Sequence, residues 1–174
     1  MRVGIIGHQG LSDLTEMLVR GEIWRLVTGY GAYDLVGVGC LAEGPETWFA
    51  RSVLDHGGKV EVIVSAAAGR LGAFSGPGCG RTRQRLLNEA NAVHRLAPAE
   101  VGGLGDDTCR ALVGMIDELI AVWDGRPGSE PARVVEAARR AGLFVQVVWP
   151  EGCESPEPPA GAGEDPGPAT PPRK

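Results

Sequence analysis

The feature that most constrains this chain is an alternation of short runs rich in Val and Ile with longer segments of helical period. The runs are RVGIIG (2–7), DLVGVG (34–39), KVEVIVS (59–65), ELIAVWD (118–124) and LFVQVVWP (143–150). Several lack strict apolar/polar alternation, as expected of strands covered on both faces. Between them lie SDLTEMLVRGEIWRLVT (12–28), PETWFARSVLDH (45–56), GRTRQRLLNEANAVHRL (80–96), DDTCRALVGMID (106–117) and PARVVEAARRAG (131–142). Ser12 suits an N-cap, Pro45 and Pro131 suit first-turn positions, and Gly57 and Gly142 suit helix exits. Short strand–helix–strand connections demand right-handed crossovers. The expected fold is therefore α/β: a Rossmann-like, doubly wound, mostly parallel sheet of five or six strands with helices on both faces. PAEVGGLG (98–105) reads either as a sixth short strand or as a glycine-rich connection.

One domain is expected over residues 1–150, because 174 residues supply one ordinary core. From Pro150 the sequence runs PEGCESPEPPAGAGEDPGPATPPRK, with few large apolar side chains to offset the entropy of ordering. Residues 151–174 are therefore expected to form a disordered, acidic, Pro/Gly-rich tail. The net charge is -5, and five tail acids against Arg173 and Lys174 account for -3 of it. The remaining body is nearly neutral, and Arg81, Arg83, Arg85, Arg139 and Arg140 form only local basic patches. On that ground nucleic acid is not expected among the partners. Cys40, Cys79, Cys109 and Cys153 show no metal-ligand spacing, so reduced thiols, no metal and no resident cofactor are expected. No run is long enough to cross a membrane, and the first residues do not read as a signal peptide; a cytoplasmic location with no membrane partner is the expectation.

Glycines cluster where strands hand over to helices, and open parallel sheets bind ligands at the carboxyl ends of their strands. AFSGPGCGRT (73–82) superficially suggests a phosphate-binding P-loop. Gly80 and Thr82 fit that pattern, but Ser75 stands at its first glycine and Arg81 at its lysine, too far beyond the preceding strand. It reads instead as a glycine-proline loop whose Arg81 and Arg83 approach the sheet edge. The first turn, GIIGHQGLS, places Gly7, His8, Gly10 and Ser12 before a helix whose first amides suit an anion. The second, GVGCLAEGPE, has Gly37, Gly39 and Ala42 in GxGxxA spacing without the acidic residue that a dinucleotide fold needs at the next strand end. The third, AVWDGRPGSEPARVV, puts Trp123 and Asp124 at the strand end, with Trp149 at the next, where an aromatic face can stack on a base.

Three segments together, MRVGIIGHQGLS, VGVGCLAEGPETWFARSVLDHGGKVEVIV and DELIAVWDGRPGSEPARVVEAARRAGLFVQVVWPEG, resemble small actinobacterial members of the SLOG superfamily. That Rossmann-like group includes the Lonely Guy phosphoribohydrolases and the DNA-processing proteins of transformation. The resemblance implies a nucleotide or nucleotide-derived ligand on the carboxyl edge of the sheet. By that resemblance Gly7, His8, Gly10 and Ser12 match the first turn, Gly39, Cys40, Gly44 and Glu46 the second, and Trp123, Asp124, Gly125 and Ser129 the third. It also implies a homodimer built from helices flanking the site. Relatives carry Gly-Gly-Thr where this chain has Ser129-Glu130-Pro131, and Lonely Guy enzymes carry a catalytic glutamate where it has Val134. A nucleotide-binding or sensing domain without Lonely Guy-type catalysis is the leading expectation. The alternatives are an N-glycosidic hydrolase using one of Asp34, Glu43, Glu46 or Asp124, and a degenerate member acting through protein contacts.

Overall fold

The computed structural model describes residues 1–65, 79–96 and 104–156. Six strands form one sheet: β1 (Arg2–Gly7), β2 (Val36–Gly39), β3 (Lys59–Ser65), β4 (Ala92–Leu96), β5 (Glu118–Val122) and β6 (Phe144–Val148). Among the described residues five helices connect them: α1 (Asp13–Thr28), α2 (Pro45–His56), α3 (Cys79–Glu89), α4 (Leu104–Met115) and α5 (Glu130–Arg140). The strand order is β4-β3-β2-β1-β5-β6, and every pairing is parallel. The expected doubly wound Rossmann-like sheet is thus the fold.

Burial along the strands explains their composition. All five residues of β5 are buried, as are the middle four of β1, so the central strands carry Val, Ile and Leu on both faces. β4, at the sheet edge, alternates between half-buried and exposed residues. Two cores flank the sheet. One packs Val19, Ile23 and Val27 of α1, Phe49 and Val53 of α2 and Leu86 of α3 onto Val3, Ile5, Val60, Val62 and Ile120. The other packs Leu112 of α4 and Val134, Val135 and Ala138 of α5 onto Ile6, Val38, Ile63, Leu119 and Ala121.

This layering follows from the chain path. The first three crossovers carry the chain outward from β1 to β4 with α1, α2 and α3 on one face. The chain then returns to β5 beside β1 and continues to β6 with α4 and α5 on the other face. The order reverses between β1 and β5, so their carboxyl ends frame the switch-point crevice where ligands bind in open α/β sheets.

GRTRQRLLNEANAVHRL does not form one helix to residue 96: α3 stops at Glu89 and β4 begins at Ala92. Asn91 marks the change. Its amide donates to the Val60 carbonyl at 2.8 Å and its Oδ1 accepts from the Val60 amide at 3.2 Å, which pins the chain against β3. The sixth strand is therefore AVHRL, not the segment at 98–105, of which residues 98–103 lie outside the described residues and 104–105 begin α4.

Candidate functional site

The first and third turns meet at the switch point. The His8 amide extends the sheet by donating to the Val122 carbonyl at 3.1 Å. Its side chain then crosses the crevice, with Nε2 3.0 Å from Oδ1 of Asp124. Both side chains are nearly covered, at 11% and 4% exposure. Burial pulls the Asp124 carboxyl upward, but the Arg126 amide, the Ser155 hydroxyl and His8 together hold it below its ordinary value. Ionised, Asp124 only accepts, so His8 presents its Nε2 hydrogen to it. The Trp149 and His8 rings pack in a T-shaped contact, with centroids 5.8 Å apart at 76°. Gly7 sits beneath this pair, where a Cβ would lie 2.8 Å from the Pro45 ring and 2.9 Å from Val122 Cβ. Only a glycine lets α2 come this close to the end of β1.

The turn after β2 is wrapped around a carboxylate of its own. Leu41 takes a positive φ of 57°, which aims the amides of Cys40 and Ala42 at one point. Both donate to Oε2 of Glu46 at 3.0 Å. Glu46 is 5% exposed, and burial, reinforced by the charge of Glu130, pushes its carboxyl up to about 7 despite those two amides and the opposing charge of Arg83. A group poised there exchanges protons near neutrality. Burial and the Glu46 charge likewise raise the Cys40 thiol well above its usual range, which makes it a poor nucleophile.

Each remaining sequence-predicted residue has a defined place. Ser12 caps α1, its Oγ accepting from the Thr15 amide at 3.4 Å and donating to Thr15 Oγ1 at 3.1 Å. Ser129 caps α5 by accepting from the Ala132 amide at 3.3 Å. Gly10 and Gly125 turn the loops at φ 67° and 86°, and Gly44 begins α2 at φ 95°. Gly39 ends β2 beside Ile5 and the Glu46 carboxylate. Trp123 donates from Nε1 to the Arg126 carbonyl at 2.9 Å and packs on the second core. Glu43 lies in the second turn. Asp34 is not part of this edge: it precedes β2 at the opposite end of the sheet, where its carbonyl accepts from the Met1 amino group at 2.9 Å.

A cavity of about 700 Å³ opens between α4 and α5 and reaches the second turn. Ile6, Leu112 and Val134 form part of its apolar lining, Cys40 and Glu46 lie at the β2 end, and Glu130, Arg133 and Arg140 line it along α5. Reasoning from sequence did not find this cavity or the pairing of Glu46 with Glu130. Glu130 and Arg133 follow Ser129 on one helix, but only the packed sheet brings them opposite Glu46. Among the described residues no cluster of potential ligands suits a metal ion, and no helix is long and apolar enough to cross a membrane.

No family model and no curated protein matches the sequence. Solved structures do. DNA processing protein A from Helicobacter pylori, described with a single-stranded DNA binding mode, is similar at TM-score 0.61 and 14% identity over 90% of this chain and 68% of that one. DNA processing protein A from Streptococcus pneumoniae is similar at TM-score 0.58 and 19% identity, covering 84% of this chain. This chain spans only 49% of the length of that protein. The molybdenum cofactor carrier protein of Chlamydomonas reinhardtii follows at TM-score 0.50 and 13% identity, over 84% of this chain and 74% of that one. The fold is the SLOG-type Rossmann-like fold that the three sequence segments resemble. With a single-stranded DNA binder among the proteins that share it, the expectation that nucleic acid is not a partner does not stand. Net charge sums over all faces, whereas phosphates respond to a local groove, and this cavity is lined by Arg110, Arg133 and Arg140.

Proposed function

We propose that this chain is a binding domain for a nucleotide or nucleotide-derived ligand, held at the carboxyl edge of the sheet in the cavity between α4 and α5. The observation that carries the reading is the cavity itself: about 700 Å³, apolar on its floor, bounded by Glu46, Glu130 and Arg133 at the carboxyl edge and by Arg140 at the far end of α5. Small-molecule sites are commonly about 300 to 1,000 Å³ with a few convergent polar groups. The amides of the second turn already serve Glu46, so a ligand phosphate has its best partners in the arginines of α5, and its donor groups face the two carboxyls. Val134 lines the cavity where Lonely Guy enzymes have their glutamate, so binding without glycosidic cleavage is the expected behaviour.

A second reading is single-stranded nucleic acid along the same groove, favoured by Arg110 beside Arg133 and Arg140 and by the fold shared with a single-stranded DNA binder. Calorimetry with AMP, ADP, ADP-ribose and NAD, run beside anisotropy with a labelled oligothymidylate at low and high salt, separates the two. Mononucleotide binding lost in Arg133→Ala supports the first; salt-sensitive oligonucleotide binding alone supports the second. No heat and no thermal stabilisation with any mononucleotide at millimolar concentration would overturn the first.

A further inference from the structure

The α1 side of the switch-point crevice is covered by the chain itself. After β6, the Trp149 ring packs at right angles to His8. The backbone turns at Pro150–Cys153, where the Cys153 amide donates to the Pro150 carbonyl at 3.2 Å and Gly152 takes φ 90° against Leu18. Cys153 packs on the first core. The Glu154 amide then donates to Thr15 Oγ1 at 2.9 Å, and the Ser155 hydroxyl reaches Asp124. Thr15, in the first turn of a helix that opens toward the ligand edge, has no exposure at all. Eight residues thus link the ends of β6, β5 and β1 to the start of α1, touching both members of the His8–Asp124 pair.

We infer that residues 149–156 are an intramolecular strap that shields the His8–Asp124 pair, and that a ligand held in the α4/α5 cavity extends across the switch point onto this pair only when the strap lifts. The second half rests on the ligand-binding reading above; the first does not. The strap has the features of a reversible closure. Its apolar anchorage is Trp149, Cys153 and the approach of Gly152 to Leu18, and its bonds to Thr15 and Asp124 are single polar ones, each to a group that a ligand hydroxyl could use instead. A closed population lowers the apparent affinity by the fraction that is open.

The chain contains three histidines, His8, His56 and His94, which makes the shielding directly measurable. Modification by diethyl pyrocarbonate is followed peptide by peptide in the full chain and in the double variant Glu154→Pro/Ser155→Ala, which removes the strap's amide donor and its hydroxyl. His8 is expected to react at least about tenfold faster in the variant, with His56 and His94 unchanged. An unchanged His8 rate overturns the strap. Hydrogen exchange on the unmodified chain gives an answer independent of whether the variant folds. The Glu154 amide is expected to exchange faster than the β1 and β5 amides but well below the rate of an exposed peptide. Exchange at the exposed rate, or locked to that of β1, would equally overturn the proposal. Affinity for AMP is expected to rise at least about threefold in the variant. A faster His8 with unchanged AMP affinity would remove the gating role; absence of AMP binding in both chains would remove the functional reading while the His8 rates still decide the strap.

Discussion

The two sides of the sheet's carboxyl edge are treated in opposite ways. On the α1 side the chain closes over itself, with Thr15 fully buried and the His8–Asp124 pair almost so. On the α4/α5 side the edge remains open as a cavity of about 700 Å³. Each side holds one buried carboxylate. Asp124 collects an amide, a hydroxyl, an imidazole and the Arg126 guanidinium, and is held below its ordinary value; Glu46 has two amides but, among the described residues, no cation bonded to it and faces another glutamate, and burial pushes it up to about 7. The lesson is that neighbours, rather than residue type, divide the labour. The closed side has a satisfied structural acid and the open side an acid able to change charge near neutrality.

The largest expected effect tests that division through pH. Glu46 is raised in the folded protein from 4.5 to about 7, so between those values the native state binds more protons than the unfolded state. Its contribution to stability is therefore present in mild acid and lost as pH rises toward 7, by about 3 kcal/mol over the window. Glu46→Gln retains an oxygen for the Cys40 and Ala42 amides and is expected to flatten this loss. Urea unfolding between about pH 4.5 and pH 8 measures it, and equal slopes in both proteins would detach Glu46 from the open side's special character.

Glycines at the two turns give the next contrast. An added Cβ at Gly7 meets the rigid Pro45 ring and Val122 within 2.9 Å, so Gly7→Ala is expected to cost about 2 kcal/mol through overpacking. Gly125, in the loop after β5, has open space around it and φ 86°, so Gly125→Ala should cost about 1 kcal/mol from backbone strain alone. Thermal unfolding of both variants ranks them. Reversal of the order would mean that α2 can retreat from β1, and that the closed side is less tightly packed than its distances imply.

The fold was legible because central strands buried on both faces leave an unmistakable apolar signature; β1 and β5 are read almost to the residue. β4 was missed for the complementary reason. RQRLLNEANAVHRL has no glycine or proline to divide it, and an exposed edge strand has no apolar run to announce itself; the break depends on Asn91 bonding to Val60, a residue 31 positions away. The turns were legible as a set, and His8, Asp124 and Glu46 were each singled out. Their partnerships were not. The same nearest-neighbour chemistry predicts a phosphate and a carboxylate at the amides of Cys40 and Ala42, and only the path of α2 decides that Glu46 occupies them. Arg133 reads as an ordinary helix-surface charge until the sheet sets α5 beside the second turn.

The smallest effect belongs to the closed side in acid. Asp124 is held below 3.8, so its contribution is fully present above that value and is lost as pH falls through the lower folded-state value. Burial opposes the shift, so the loss should be smaller than the one Glu46 produces and should have the opposite sign with respect to pH. Asp124→Asn keeps an acceptor for the Arg126 amide while abolishing the charge, and its unfolding midpoint is expected to change less than that of the unaltered chain between about pH 5 and pH 3. Protonating Asp124 also weakens the bond to Ser155, so the strap should loosen in the same window and His8 amide exchange should accelerate ahead of global unfolding. If the acid profiles of the two proteins coincide while Glu46→Gln still flattens the neutral one, the two sides differ in only one carboxylate, and the His8–Asp124 pair is held by packing rather than by charge.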